Sequence, residues 1–410
     1  TIVKALDLLV NQHIIYSKPQ SGFYVADSLI IPKQATEDMA SLSSGNPKIN
    51  LLGTQNLAHV LNIALDQYAH HHLDIPKNGV DSLKEVLPDY LAEHGIYANP
   101  PNIQMIQGTL QILNMFTNTE FPNNKQTILI EEPTYRFYIE YLKSIGKSVQ
   151  TIKRDEYGLD LVELEDIFKT KEIKFFYIVP RNHNPLGTLL SFAQRKKIVE
   201  LAIKYDVYLI EDDYLGDGHK LPKYATLHYL SAGQNVIYLR SYSKELPFIR
   251  FGICVIPDSM IETFAEIIEK SYFISYHMPA LIAQATMEAY IKTSIYKTHV
   301  GNFSREIHKK LTLIKEIVQN WDETLLQVIG THSGPYVSIR VSQEICIEKL
   351  IDSLAQKKIH VQSNCPSFYH EENFDNSIRL SIARADFTHL EESLQTIYET
   401  IQKQIKVKLS

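Results

Sequence analysis

Apolar residues first recur at helical spacing, with Ile2, Val3, Leu6, Leu9 and Val10 on one face and His13 and Ile14 closing the run. The chain continues as Ile14-Ile15-Tyr16, a turn at Lys18-Pro19-Gln20-Ser21-Gly22, and Phe23-Tyr24-Val25, which predicts a β-hairpin. A helix and two short strands bury too little surface to fold alone. Because the pattern is already helical at Thr1, a further part of this unit is expected upstream. Residues 29–45 hold no steady period, contain Pro32 and read as a linker.

Between about residues 100 and 257 the pattern alternates. Short β-rich runs fall at Thr127–Ile130, Ser148–Ile152, Ile173–Val179, Val207–Ile210, Val236–Leu239 and Phe251–Ile256. Helical stretches lie between several of them, clearest at Phe192–Tyr205, where Ile198, Leu201, Ala202 and Tyr205 share a face. Such alternation predicts an α/β fold with a mostly parallel sheet sheathed by helices. Past Pro257 the chain reads as helical to about Gln319. It then gives a strand at Tyr336–Val341, a helix at Ile347–Gln356, strands at His360–Gln362 and Ser377–Ile382, and a last helix carrying Leu390, Leu394, Ile397 and Ile401. The expected division is a unit at 1–28, a linker, a large domain at 46–257 and a small α+β domain at 258–410.

Composition narrows this picture only modestly. With 410 residues, 44% hydrophobic and 21% charged, the chain is folded rather than disordered. No apolar run approaches the ~18 residues needed to cross a bilayer, and no export signal is visible. Cys254, Cys346 and Cys365 are scattered without metal-ligand spacing, which favours a reducing, cytoplasmic setting. The net charge of −6 argues against a chain that coats nucleic acid over its whole surface.

Open parallel sheets bind ligands beyond the carboxyl ends of their strands, so the residues following each strand matter most. Asn182-His183-Asn184-Pro185-Leu186-Gly187 follows one run and Glu211-Asp212-Asp213-Tyr214 another. Ser241-Tyr242-Ser243-Lys244 follows a third, with Arg250 six residues on, and Glu131-Glu132-Pro133-Thr134-Tyr135 a fourth. This inventory suits pyridoxal 5′-phosphate. A lysine amine condenses with its aldehyde, and a carboxylate keeps its ring nitrogen protonated. Hydroxyls, an arginine and a helix N-terminus, expected here at Gly108-Thr109, hold its phosphate.

Asn184-Pro185-x-Gly187, Asp212-x-Tyr214, Ser241-x-Ser243-Lys244 with Arg250, and Ile378-Arg379-Leu380-Ser381 together resemble the class I/II aminotransferases of PLP fold type I. The resemblance covers roughly residues 45–405 and implies a role for each position. Lys244 would be the Schiff-base lysine and Asp212 the partner of the ring nitrogen. Tyr214 and Asn184 would bind the phenolic oxygen, and Tyr135 would stack on the ring. Gly108, Thr109, Ser241, Ser243 and Arg250 would hold the phosphate, and Arg379 would grip an α-carboxylate. The first thirty residues resemble the second half of a winged helix-turn-helix of the GntR superfamily, with Gly22-Phe23 at the wing tip. That head on such a body is the arrangement of MocR-type transcriptional regulators. It implies promoter DNA as a partner, an amino acid or amine effector, and a homodimer, with Lys4 and Lys18 as DNA contacts. An active aminotransferase is the alternative.

Three departures from that pattern stand out. Lys244 and Arg250 are six residues apart where the family usually has seven, Asp74 lies where a phosphate-binding tyrosine is common, and Leu110 replaces a polar residue. Several positions also have plain structural explanations. Asp212 and Asp213 cannot be separated by physics from sequence, and Arg379 could be a surface cation. His70-His71-His72 reads as a helix end rather than a metal site. Arg136, next to Tyr135, could reach an anion or simply be solvated. The N-terminal unit is neutral, Lys4 and Lys18 balancing Asp7 and Asp27, so DNA binding rests on resemblance rather than charge.

Overall fold

The computed structural model describes every residue except 1, 12–14, 19–21, 26–39, 47–53, 69–78, 217–223, 245, 247, 272–277 and 410. The chain divides into two units, Thr1–Asp38 and Met39–Ser410. In the first, the helix Ile2–Asn11 precedes strands β1 (Ile15–Lys18) and β2 (Gly22–Val25). The strands pair antiparallel, Tyr16 opposite Tyr24 and Lys18 opposite Gly22, as the hairpin pattern predicts. Ile2, Val3, Leu8 and Phe23 remain exposed in this unit.

The second unit, the body, opens with β3 (Ala40–Ser41), and its main sheet is built from eight later strands. These are β4 (Ile103–Ile106), β5 (Thr127–Glu132), β6 (Val149–Asp155) and β7 (Gly158–Leu159), then β8 (Ile173–Ile178), β9 (Tyr208–Asp212), β10 (Val236–Ser241) and β11 (Gly252–Val255). Their spatial order is β4-β11-β10-β9-β8-β5-β6-β7. The five strands from β6 to β10 in that order run parallel, whereas β11 is antiparallel to both β10 and β4. Residues along β8, β9 and β10 are buried without exception, as continuous apolar runs require when helices cover both faces.

Strand alternation sorts these side chains into separate cores. Phe175, Tyr177, Ile210 and Leu239 pack with Ile112 and Phe116 of the helix Thr109–Asn118 and Tyr138 of Arg136–Ile145. Phe176, Ile178 and Leu209 pack on the opposite face with Leu164, Ile198 and Leu201. A third core joins Met105, Ile253 and Val255 to the helices Asp81–Glu93 and Leu281–Lys292. The chain beyond residue 258 therefore still contributes a helix to the main sheet's covering.

The smaller sheet comprises β12 (Leu326–Ile329), β13 (Tyr336–Val341), β15 (Gln362–Ser363) and β16 (Ser377–Ser381), all antiparallel. Leu350 and Leu354 from one helix and Leu390, Leu394, Ile397 and Ile401 from the last helix cover it. The run expected as one strand at His360–Gln362 is divided, because β14 (Ile359–His360) pairs parallel with β3. The expected linker 29–45 is thus body from residue 40 onward. Leu42 is fully buried, its amide donates to the His360 carbonyl (3.0 Å), and its carbonyl accepts from the Ser381 amide.

The loop at Asn184–Gly187 is pinned between the two sheets. Ser338 Oγ donates to the Pro185 carbonyl (3.0 Å), and Gly187 adopts φ +65°. A Cβ there would stand 1.9 Å from the Tyr336 carbonyl oxygen, so only glycine fits. Gly187→Ala is expected to destabilise the body by roughly 3 kcal/mol or more, read as a lower thermal midpoint. An unchanged midpoint would contradict this packing.

Candidate functional site

The carboxyl ends of β5, β8, β9 and β10 open into one cavity of about 510 Å³, which Tyr336, Gln362 and Arg379 of the smaller sheet also line. β5 delivers Tyr135, the turn after β8 delivers Asn184, and β9 ends on Asp212 with Tyr214 just beyond. β10 leads into Ser241, Ser243 and Lys244, while Gly108 and Thr109 start the helix that follows β4. Arg250 precedes β11, and Arg379 comes from β16. Every body residue given a cofactor or ligand role from the sequence therefore lines the same space. Lys4 and Lys18 fall in the N-terminal unit, Lys4 exposed on its helix. Asp74 and His70–His72 lie outside the described residues.

Asp212 and Asp213 are separated by the structure. Asp213 is committed to Arg181, whose Nε donates at 3.1 Å and whose second nitrogen also bonds it, and to the Tyr238 hydroxyl at 2.8 Å. Burial pushes its carboxyl up, but the Arg181 cation outweighs that and holds it below the usual range. Asp212 has no cationic hydrogen-bond partner among the described residues. Tyr177 donates to its Oδ2 at 2.7 Å, and its Oδ1 is buried with no hydrogen-bond partner among them. Burial raises this carboxyl to about 7, Asp213 adding to the rise and Tyr177 and Lys244 opposing it.

The other groups are held by short-range contacts. Lys244 Nζ donates to Asn46 Oδ1 (2.9 Å), and Ser241 Oγ to Ser243 Oγ (3.2 Å). The Tyr214 hydroxyl donates to the Asn182 carbonyl. A Cβ on Gly108 would lie 3.1 Å from an Arg250 terminal nitrogen. The shortened Lys244–Arg250 interval thus still brings the guanidinium to the helix start. Arg379 donates to Asn184 Oδ1 (3.0 Å) and the Ser43 carbonyl (3.1 Å), with its guanidinium carbon 4.7 Å from the Tyr336 ring centre. Leu110 and Arg136 line the cavity as well.

Tyr177, Asn46, Tyr336 and Gln362 also belong to the site, and the sequence pattern does not mark them. Tyr177 sits within an apolar strand and reads as core, yet it positions Asp212. Asn46 falls in a stretch without a period, and only its proximity to the body could have marked it.

Residues 37–397 match the family described as aminotransferase class I and II. The chain belongs to that family. Its cofactor is pyridoxal 5′-phosphate, and the cavity fits it: a buried carboxylate oxygen awaits a donor, and a lysine, hydroxyls and an arginine at a helix start share the space. The chain is 36% identical over 316 residues to YcxD of Bacillus subtilis, named an uncharacterized HTH-type transcriptional regulator, across 76% of this chain and 70% of that protein. It is 23% identical over 441 residues to the HTH-type transcriptional regulator NorG of Staphylococcus aureus, across 98% and 96%. Among solved structures, the kynurenine aminotransferase of Pyrococcus horikoshii is similar in fold (TM-score 0.78, 21% identity, covering 90% and 92%). So is LysN, the α-aminoadipate aminotransferase of Thermus thermophilus (TM-score 0.77, 20% identity, covering 89% and 92%).

The Asp212 carboxyl titrates near 7 in the cofactor-free fold against about 4 in an unfolded chain. The folded state therefore binds the extra proton between those values, and its stability is lost as pH rises through that window. Asp212→Asn removes this slope. The cofactor-free variant is expected to exceed the parent in stability at pH 8 by up to about 4 kcal/mol, the gap closing toward pH 4. Denaturant unfolding at the two pH values checks it, and an equal gap at both would contradict the assignment.

Proposed function

We propose that this class I/II aminotransferase family member is a DNA-binding transcriptional regulator whose body holds pyridoxal 5′-phosphate and registers an amino acid or amine. The observation that carries this reading is the helix-and-hairpin unit preceding the family body in one chain, matched along nearly its whole length by a protein named an HTH-type regulator. The protein would act as a cytoplasmic homodimer on promoter DNA, with Lys4 and Lys18 contacting the backbone.

When bound, the cofactor supplies an electron sink for bonds at the ligand's α-carbon. The chain's own residues do the rest. Lys244 would offer the amine that holds the cofactor and, as a free amine, a base near the ligand's Cα. Asp212, oriented by Tyr177, would hold a proton at the ring nitrogen. Tyr135 would cover the ring face, and Tyr214 and Asn184 would bind its phenolic oxygen. Ser241, Ser243, Thr109, the Gly108 backbone and Arg250 take the phosphate, and Arg379 orients the ligand carboxylate. A second reading, a working aminotransferase, is favoured by one observation: Lys244, Asp212, Tyr214 and Arg379 all line the cavity together.

Chromatin immunoprecipitation of the native protein is expected to enrich discrete promoter loci, and uniform background would defeat the regulator reading. Binding to an enriched fragment should fall steeply with salt. Lys4→Ala should weaken it about equally on all sequences and lower the salt slope by about one. Lys244→Ala should abolish the visible absorption of the lysine-bound cofactor; if that absorption persists unchanged, Lys244 is not the anchor.

A further inference from the structure

Glu131 on β5, Arg154 on β6 and His183 in the turn after β8 form a buried polar cluster, and none of the three lines the cavity. Glu131 Oε2 accepts from the Val179 amide (2.7 Å) and stands 3.5 Å from His183 Nε2, while its Oε1 lies 3.6 Å from an Arg154 terminal nitrogen. Arg154 donates in turn to Thr188 Oγ1 (3.1 Å). Within the turn, the His183 amide donates to the Thr188 carbonyl (2.9 Å), and the Leu186 amide meets His183 Nδ1 at 3.4 Å. One acid thus grips the segment 179–188 at its start directly, at its middle through His183 and at its end through Arg154. That segment carries Asn184 into the cavity.

Packing alone does not account for this cluster. Four of its polar atoms, Glu131 Oε1, His183 Nε2 and Arg154 Nε and Nη1, are buried without a hydrogen-bond partner among the described residues. Apolar side chains of similar volume would fill the space without that desolvation cost, often with no loss of stability. What a charged, directional cluster adds is a single backbone arrangement. Burial holds the His183 imidazole below its usual range, so it is neutral. With Nδ1 turned to the Leu186 amide, its proton sits on Nε2, on the Glu131 side. Glu131 is therefore the common acceptor on which the turn's position depends. Asn184 Oδ1 already accepts from Arg379 (3.0 Å), which leaves its amide nitrogen for the cofactor.

We infer that Glu131 is a positioning residue: through the Val179 amide, His183 and Arg154 it holds the turn that presents Asn184, and so keeps the Asn184 amide in reach of the cofactor's phenolic oxygen. The inference rests on the proposed roles of Lys244 and Asn184. It makes and breaks no covalent bond.

The test follows the visible absorption of the lysine-bound cofactor against pH in the cofactor-loaded protein. A donor at the phenolic oxygen favours the deprotonated, more negative form, so loss of that donor raises the midpoint. Asn184→Ala should raise it. Glu131→Gln, which removes the charge and keeps the shape, should raise it by roughly half a pH unit or more. In the Asn184→Ala background Glu131→Gln should add less than about 0.2 pH unit, because a residue that acts through Asn184 has nothing left to act on. An unmoved midpoint in Glu131→Gln, or the same shift with and without Asn184, overturns the inference, whatever the thermal midpoint does. Should Glu131→Gln fail to fold, Thr188→Val decides, since it cuts only the side-chain contact to Arg154. It is expected to give a smaller shift in the same direction, again absent without Asn184, and no shift overturns the inference. An unmoved midpoint in Asn184→Ala, or no visible absorption in the native protein, instead overturns the proposed cavity roles, and the inference with them.

Discussion

Burying a carboxylate without a hydrogen-bonded cation costs several kcal/mol unless something else stabilises the charge, and among the described residues Asp212 is buried in that way at the end of β9. The neighbouring acid shows what a purely structural solution looks like: Asp213 is closed off by Arg181 and Tyr238. Asp212 is instead held by a neutral phenol, Tyr177, which fixes its direction and leaves one oxygen without a hydrogen-bond partner among the described residues. The rest of the cavity is consistent with this constraint. Lys244 is the cation whose charge bears on Asp212, and the hydroxyls and Arg250 gather at the helix start of Gly108–Thr109. A donor placed at that oxygen would satisfy it and relieve the electrostatic penalty in one contact.

The second organising feature is that the Arg379 end of the cavity belongs to both sheets at once. Arg379, on the smaller sheet, bonds Asn184 from the main sheet and Ser43 from the segment preceding it. Glu132, at the end of β5, accepts from the His370 amide (2.6 Å) and from Asn373 (2.7 Å) on the smaller lobe. The Asn184–Gly187 loop lies between β13 and the main sheet with no room for a side chain at Gly187. A displacement of Arg379 would therefore act on contacts that join the two lobes.

Much of the fold and of the cavity is legible in the order of the amino acids alone. The buried parallel strands announce themselves as continuous apolar runs, and the polar residues after them are the ones that line the cavity. Other features are hidden for physical reasons. β4 is a four-residue run after two prolines, and nothing in its pattern marks it as a strand or sets its pairing with β11. Tyr177 is indistinguishable from core within Ile173–Val179. Two adjacent aspartates carry the same sequence signal and differ only in what folds against them. Residues 40–45 look like linker because their order comes from pairing with distant segments, β14 and β16, and not from a local period.

Sensing and turnover differ in what happens after an amino acid meets the loaded cavity. The most direct measurement mixes cofactor-loaded protein with an amino acid and a 2-oxo acid, and follows the cofactor spectrum and product together. A sensor gives a persistent spectral shift with little or no new oxo acid released over many minutes, and that is the expected result. Rapid, repeated turnover with stoichiometric exchange of amino groups would contradict it, and would make this member of the family an enzyme first.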